Sequence, residues 1–191
     1  DGSVAATLRQ STTSGGIEGT AIDAAADRIY WADLANLKIS WAALDESAHG
    51  DLPIAGANIA SPEGLAIDPS AGLIYWANGV GGTPISYARL DGTGGANLNV
   101  AGATPGTAAG PAIDSAGRRI YWANTSANKI SWANLNGSGG GDLPTTGATV
   151  SSPTGVTIDV AAARIYWVNA AANKVSWANL DGSGGADLTT S

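Results

Sequence analysis

The dipeptide Tyr-Trp occurs four times in this chain of 191 residues, and no other feature constrains the fold as strongly. The copies are Tyr30-Trp31, Tyr75-Trp76, Tyr121-Trp122 and Tyr166-Trp167, at intervals of 45, 46 and 45 residues. A constant period of this size indicates one supersecondary unit repeated in tandem. Four similar units also argue against one asymmetric catalytic site, so the sequence says more about architecture than about activity.

Each unit carries further residues at fixed distances from its Tyr-Trp pair. An acid precedes each tyrosine by seven residues: Asp23, Asp68, Asp114 and Asp159. A glycine precedes each acid by four residues: Gly19, Gly64, Gly110 and Gly155. A second aromatic follows each tryptophan by ten or eleven residues: Trp41, Tyr87, Trp132 and Trp177. Three of the units then end in a tract that reads DGTGG, NGSGG or DGSGG.

These patterns predict four short strands in each unit. The segment G-x-x-I-D is expected to form the first strand, with Ile22, Ile67, Ile113 and Ile158 on one side. The β-branched and aromatic segments R-I-Y-W and K-I-S-W-A-N-L give the second and third strands. The glycine-rich tract is a tight-turn signal, and a segment such as residues 186–190 is expected to form a polar outer strand. Apolar residues at helical spacing do not extend far enough to compete.

Four-stranded units at a period near 45 are typical of the blades of a β-propeller. The predicted fold is therefore an all-β propeller with repeats at residues 13–57, 58–103, 104–148 and 149–191, and residues 1–12 as an extra outer strand. Adjacent residues of a strand point to opposite faces, so the Tyr and the Trp of each pair are expected to pack against different neighbouring blades. Each ring hides roughly 150–250 Å², and we expect inter-blade packing rather than ligand binding to use it.

The combined motifs resemble the YWTD repeat, the class B repeat of the low-density-lipoprotein receptor. The resemblance covers all four units and depends on the joint spacing of Gly, Asp, Tyr-Trp and Leu-Asp-Gly. The third motif position departs from the family, with alanine in three copies and Val168 in the last. The fourth is Asp33 and then Asn78, Asn124 and Asn169, which keep an acceptor oxygen but lose the charge. The resemblance implies a propeller, usually of six blades, that serves as an extracellular binding scaffold without catalysis.

Composition limits the classes of partner. Nine basic and sixteen acidic residues give a net charge of −7, which argues against nucleic acid and anionic membranes as partners. The absence of cysteine excludes disulfides and thiolate metal sites, and no segment approaches 18 consecutive apolar residues. The chain has neither an initiator methionine nor a signal-like segment, so Asp1 is expected to be a processed or cut end.

The repeated cations are expected to lie on a solvated surface. Three arginines precede the Ile-Tyr dipeptide of the second strand: Arg28, Arg119 and Arg164. Three lysines precede the Ile-Ser or Val-Ser dipeptide of the third strand: Lys38, Lys129 and Lys174. On adjacent strands they are expected beside acids rather than in a phosphate site.

No catalytic residue, cofactor site or metal site is predicted. His49 is the only histidine and is expected to be exposed in a turn, where it could not act in a Ser-His-Asp relay. The four acids that precede the tyrosines could form a ring of carboxylates for a cation, but we expect them to accept backbone N–H bonds at strand ends. The DGSGG turns lack calcium-loop spacing. Every aromatic belongs to the repeat pattern, which argues against an obvious sugar site, and ligand-binding residues remain unknown.

Closure of the ring is left open by the sequence. Both end units are as aromatic as the middle two, which argues against an open arc of four blades. A closed four-bladed ring, a ring completed by a second chain, and part of a longer array are all possible. We favour the latter two because propellers of the family that this chain resembles usually have six blades, and because the extra leading strand has no blade left to complete.

Three functions remain under consideration. The first is a non-enzymatic extracellular scaffold that binds a protein or glycan. Its binding surface is expected at the end of the ring that carries the Asn-rich links between second and third strands and the connections from one blade to the next, such as Thr146 to Pro153. The second is a structural or self-associating module of a surface layer or filament. The third, a lyase or hydrolase, depends on fold analogy alone.

Overall fold

The protein is described here by a computed structural model, which covers residues 16–189. All regular structure in this range is β-strand, and it forms four antiparallel sheets of four strands each. The all-β fold and the four strands predicted for each unit are thereby confirmed, and the strands of each blade form an antiparallel meander. The expected extra outer strand at residues 1–12 lies outside the described residues.

Each sheet follows chain order, so that every strand pairs with the next. Blade 1 contains β1 (Ile17–Asp23), β2 (Arg28–Asp33), β3 (Lys38–Ala43) and β4 (His49–Asp51). Blade 2 contains β5 (Pro62–Asp68), β6 (Leu73–Asn78), β7 (Ile85–Arg89) and β8 (Gly95–Asn97). Blade 3 contains β9 (Ala108–Asp114), β10 (Arg119–Asn124), β11 (Lys129–Asn134) and β12 (Gly140–Asp142). Blade 4 contains β13 (Pro153–Asp159), β14 (Arg164–Asn169), β15 (Lys174–Asn179) and β16 (Gly185–Asp187).

The first strand of each blade packs against the first strand of the next, in the order β1, β5, β9, β13. Glycine makes this approach possible, because a Cβ atom added to Gly19 would lie 2.4 Å from the Cα of Gly64. A Cβ added to Gly110 would lie 2.5 Å from the Cα of Gly155. Within residues 16–189 no contact of comparable extent joins β13 back to β1. The four blades therefore form an open arc around the line of inner strands.

Each blade has two different apolar faces, which we call the Tyr face and the Trp face after the motif residue each carries. The Tyr face of one blade packs on the Trp face of the next. Between blades 1 and 2, Tyr30, Ala32 and Ile39 pack against Ile74, Trp76 and Ala88. Between blades 2 and 3, Tyr75, Ala77 and Ile85 pack against Ile120, Trp122 and Ala133. Between blades 3 and 4, Tyr121, Ile130 and Leu143 pack against Ile165, Trp167 and Ala178. The core of the molecule consequently lies between the sheets.

Two faces have no neighbouring blade within the described residues: the Trp face of blade 1 and the Tyr face of blade 4. Ile22 on the first is 58% exposed, although the isoleucines at the same position of the other blades are half-buried. Val168 on the second is 50% exposed, whereas Ala77 and Ala123 at its position are fully buried. Tyr166 is half-buried for the same reason.

The turn between the third and fourth strands uses the predicted glycine. Gly92, Gly137 and Gly182 adopt φ values of 76°, 72° and 77°, a left-handed conformation that favours glycine. In blade 1 the non-glycine residue Glu46 takes this position with φ 64°.

Candidate functional site

The four acids that precede the tyrosines lie at the ends of the first strands. Oδ1 of Asp23 accepts hydrogen bonds from the backbone N–H groups of Ala25 and Ala26 at 3.1 and 3.2 Å. Oδ1 of Asp114 accepts from those of Ala116 and Gly117 in the same way, at 3.1 and 3.0 Å. Asp159 makes one such bond, to the N–H of Ala162. These carboxylates hold the turn into the second strand, and no group of three or more acids or histidines able to hold a metal ion occurs in residues 16–189.

Asp68 differs from the other three because it also joins two blades. Its side chain is fully buried, and its Oδ2 lies 2.6 Å from the Nη1 of Arg118 in blade 3. Its Oδ1 accepts bonds from the hydroxyl and the N–H of Ser70 at 2.6 and 3.1 Å. Burial alone would raise the pKa of the Asp68 carboxyl, but the hydrogen bonds from Ser70 and Arg118 outweigh burial and hold that pKa below its usual value.

The fourth motif position retains its acceptor role at two of the three asparagines that replace Asp, whereas the buried Oδ1 of Asn124 accepts no hydrogen bond among the described residues. Oδ1 of Asn169 accepts the N–H of Ser151 at 2.8 Å, and its Nδ2 donates to the hydroxyl of Ser176 at 2.8 Å. That hydroxyl donates in turn to Oδ1 of Asp187 at 2.7 Å. Asn78 makes the matching bonds in blade 2. The chain of bonds ties the second, third and fourth strands to the segment that enters the blade.

The repeated arginines lie beside acids on the adjacent strand, as expected: Arg28 pairs in register with Asp23, Arg119 with Asp114 and Arg164 with Asp159. Their guanidinium groups, however, contact aromatic rings. The guanidinium groups of Arg28, Arg119 and Arg164 stack over the rings of Trp41, Trp132 and Trp177, with 3.9, 4.0 and 3.9 Å from Cζ to the ring centroid. The stacking is a cation–π interaction between neighbouring strands. Sequence reasoning missed it, although the shared period of the two residue types was the available signal.

Two of the repeated lysines do pair with acids, as expected. The Nζ of Lys38 lies 2.6 Å from Oδ2 of Asp51, and that of Lys174 lies 2.7 Å from Oδ2 of Asp187. Both lysine side chains are about half exposed, so the pairs are solvated.

His49 is exposed, but it does not lie in a turn. It opens the outer strand β4 and pairs in register with Ala42. The expectation of a turn was wrong because the strand begins as soon as the chain has reversed after Ser47.

One end of the blades, which we call the connector face, carries the turns between second and third strands and the segments between blades (residues 52–61, 98–107 and 143–152). Backbone bonds hold the two kinds of loop together, from Gly79 N–H to the Ser61 carbonyl and from Thr125 N–H to the Thr107 carbonyl, each at 2.9 Å. The loop in blade 2 is one residue longer, and its Val80 is 59% exposed. Glu63 lies nearby, and burial and the charge of Glu18 raise the pKa of its carboxyl.

Cavities open on the surface of the described part of the chain. One of about 260 Å³ lies on the uncovered Tyr face of blade 4, against Tyr166, Val168 and Val175. A second, of about 440 Å³, lies beside Arg118 and Asn134. A third, of about 360 Å³, lies on blade 2 against Tyr87 and Arg89. In residues 16–189 there is no helix long and apolar enough to cross a membrane.

Stacked four-stranded meanders that meet through aromatic faces define the β-propeller class. Residues 27–69 match the model of the family described as low-density lipoprotein receptor repeat class B. This segment runs from the last residue of the first turn of blade 1 to the residue after β5, nearly one full period, and it confirms the resemblance for that stretch. No curated protein sequence matches the chain.

Solved structures with the same fold include binding proteins and enzymes. A chain of the nidogen/laminin complex matches with a TM-score of 0.75 at 22% identity over 92% of this chain. A gluconolactonase from Xanthomonas campestris matches with a TM-score of 0.70 at 16% identity over 92% of this chain. A catalytically inactive virginiamycin B lyase from Staphylococcus aureus, crystallised with quinupristin, matches with a TM-score of 0.70 at 11% identity over 90% of this chain. The chain spans 65%, 61% and 55% of the length of these three chains, and identities this low indicate a shared fold alone.

Proposed function

We propose that the chain is a non-enzymatic, extracellular binding module that recognises a protein partner through its connector face. The observation that carries the proposal is the exposed Val80, which lies in the one turn between second and third strands that is longer than the others. The Glu63 carboxylate reaches the same turn, because a Cβ atom added to Gly79 would clash with its Oε1. An apolar group beside acids suits a protein surface that offers an apolar side chain flanked by basic ones. The match to a receptor repeat and the fold shared with a chain of the nidogen/laminin complex support the proposal.

The test is a binding screen of the purified chain against secreted proteins, followed by affinity measurements on Val80→Asp and Glu63→Gln. Val160→Asp is a matched control, because Val160 is 56% exposed in the turn between β13 and β14 at the opposite end of the blades. We expect Val80→Asp and Glu63→Gln to weaken binding and Val160→Asp to leave it unchanged. Equal effects of the two valine variants, or no partner at all, would contradict the proposal.

A second candidate function is self-association as a structural module, and the apolar side chains exposed on blades 1 and 4 favour it. Ile22 and Val168 expose apolar surface of the kind that the other blades bury against each other. Sedimentation of the wild-type chain, Ile22→Asp and Val168→Asp over a range of concentrations tests this function. A wild-type chain that stays monomeric at high concentration would eliminate it.

We do not propose catalysis, although two structures of the same fold are enzymes. The identities of 16% and 11% transfer no active site, and the exposed His49 on an outer strand lacks the enclosure that a general base needs. Lactonase and lyase assays address the question. An activity that disappears in His49→Ala would overturn this part of the proposal.

A further inference from the structure

Blade 2 departs from the other three blades at three positions that lie together. Leu73 stands where the other blades have arginine, and Tyr87 stands where they have tryptophan. Arg89 stands where they have Ala43, Asn134 or Asn179. Leu73 pairs in register with Arg89, and Tyr75 pairs with Tyr87, so the three departures share the Tyr face near the outer edge of the blade.

The departures change what covers the second aromatic ring. In blades 1, 3 and 4 an arginine from the second strand lies over the tryptophan ring at 3.9–4.0 Å. In blade 2 Leu73 cannot supply that cation, and the positive charge has moved to Arg89 on the third strand. A cavity of about 360 Å³ lies at this point, lined by Leu73, Tyr87, Arg89, Gly94, Gly95 and Ala96. This volume is at the lower end of the range for small-molecule sites.

A packed aromatic ring and an exposed arginine lie beside the cavity. The ring of Tyr87 packs against that of Tyr75 with 5.5 Å between centroids and an interplanar angle of 40°. Arg89 forms no ion pair within the described part of the chain. The nearby Asp91 carboxylate accepts bonds from the N–H and hydroxyl of Thr93 at 2.9 and 2.7 Å. The backbone at Gly94 carries no side chain, and a Cβ there would meet nothing within 4 Å.

We propose that this cavity binds an acidic sugar residue, a hexuronate. The apolar C–H face of a pyranose ring would lie against the Tyr87 ring and Leu73, and the sugar carboxylate would accept two parallel hydrogen bonds from the Arg89 guanidinium. A phosphate would leave the aromatic ring uncovered, and a neutral sugar would leave the guanidinium without a partner. This site differs from the connector face, so it adds a glycan ligand to a protein-binding module.

The other blades suggest a variant that should remove the site, because each substituted residue already occurs at the matching position of blade 3. Leu73→Arg, Tyr87→Trp and Arg89→Asn together give blade 2 the trio of blade 3, which are Arg119, Trp132 and Asn134. Calorimetric titration of the wild-type chain with a galacturonate trisaccharide is expected to give one site, and the neutral glucose trisaccharide is expected to bind at least about tenfold more weakly. The triple variant is expected to melt like the wild type and to lose uronate binding by at least about tenfold.

The reverse exchange tests whether the three positions are sufficient. Arg119→Leu, Trp132→Tyr and Asn134→Arg give blade 3 the trio of blade 2, and the titration is then expected to show two sites per chain. No binding of the uronate to the wild type, equal binding of the neutral sugar, or full binding in the blade 2 variant would each overturn the proposal. Val80→Asp is expected to leave uronate binding unchanged, which separates this result from the outcome at the connector face.

Discussion

Arg118 and Asp68 form the ion pair that joins two blades through a fully buried carboxylate. The three other strand-end acids bond only to their own turns among the described residues. Asp68 also binds Arg118 of the next blade, so it contributes to packing between blades. Arg118 adopts φ 53°, a left-handed conformation that costs a non-glycine residue free energy.

Arg118→Ala is expected to lower the free energy of unfolding by about 1–3 kcal/mol, because it leaves a buried carboxylate without its charged partner. The folded-state pKa of Asp68 is lowered, so its contribution to stability is complete above the unfolded pKa of about 3.9 and is lost as the pH falls through the folded value. Urea unfolding between pH 7 and pH 2.5 is the measurement, and the variant should lose less stability on acidification than the wild type. Lys38→Ala, which removes a half-exposed pair, is the control and should have a much smaller effect.

Residue-scale prediction from the sequence succeeded where a side chain bonds to its own turn and failed where it meets another strand. The strand-end acids were expected to accept backbone N–H bonds in the turn that follows, and Asp23 and Asp114 do so. The arginine–tryptophan stacking and the Asp68–Arg118 pair depend on register and on the approach of separate blades, which a periodic sequence does not specify. The cavity on blade 2 was missed because Tyr87 fits the aromatic pattern, although its neighbours do not.

The first strands of blades 1 to 3 depend on their glycines, Gly19, Gly64 and Gly110. Gly110 adopts φ 46° and faces Gly155 so closely that a methyl group cannot fit between the two backbones. The spacing of these glycines in the sequence was enough to predict the strands around them, so the four-stranded sheets could be predicted from the sequence. The role of the glycines in bringing the first strands of neighbouring blades together could not be predicted, because the contact joins residues a full repeat apart.

Gly110→Ala is expected to destabilise the protein by about 3 kcal/mol or more, since the added Cβ would lie 2.5 Å from the Cα of Gly155 and the backbone is left-handed. Gly72→Ala is the matched control. Its φ is 64°, but a Cβ there meets nothing within 4 Å, so only the backbone cost of about 1–2 kcal/mol is expected. Chemical denaturation of both variants measures the difference. Equal losses would show that the inner strands are not in the close contact described.

At the scale of the whole molecule, the arrangement of the blades explains why closure could not be predicted. The sequence indicates how one blade packs on the next, but it carries no signal for the angle between them, which depends on the sum of small rotations at each interface. Ile22 and Val168 therefore look like core residues in the sequence and are exposed in the described structure.

The two ends of the arc predict unequal effects for equivalent tyrosines. Tyr121 is 1% exposed and packs between blades 3 and 4, so Tyr121→Ala is expected to cost about 3–5 kcal/mol. Tyr166 is half-buried on the uncovered face, and Tyr166→Ala is expected to cost much less in dilute solution. Thermal unfolding at low and high protein concentration is the measurement. A large and concentration-independent loss for Tyr166→Ala would mean that its face is covered within the monomer.

The pairing of each Tyr face with a Trp face has a consequence for how a gene encoding such blades can change. Every unit presents one surface of each kind, so loss or duplication of a whole period by unequal recombination leaves all remaining contacts chemically matched. The number of blades can then change in evolution without any new kind of interface between blades. A deletion that is not a whole number of periods would bring together surfaces that do not match, and selection would remove it.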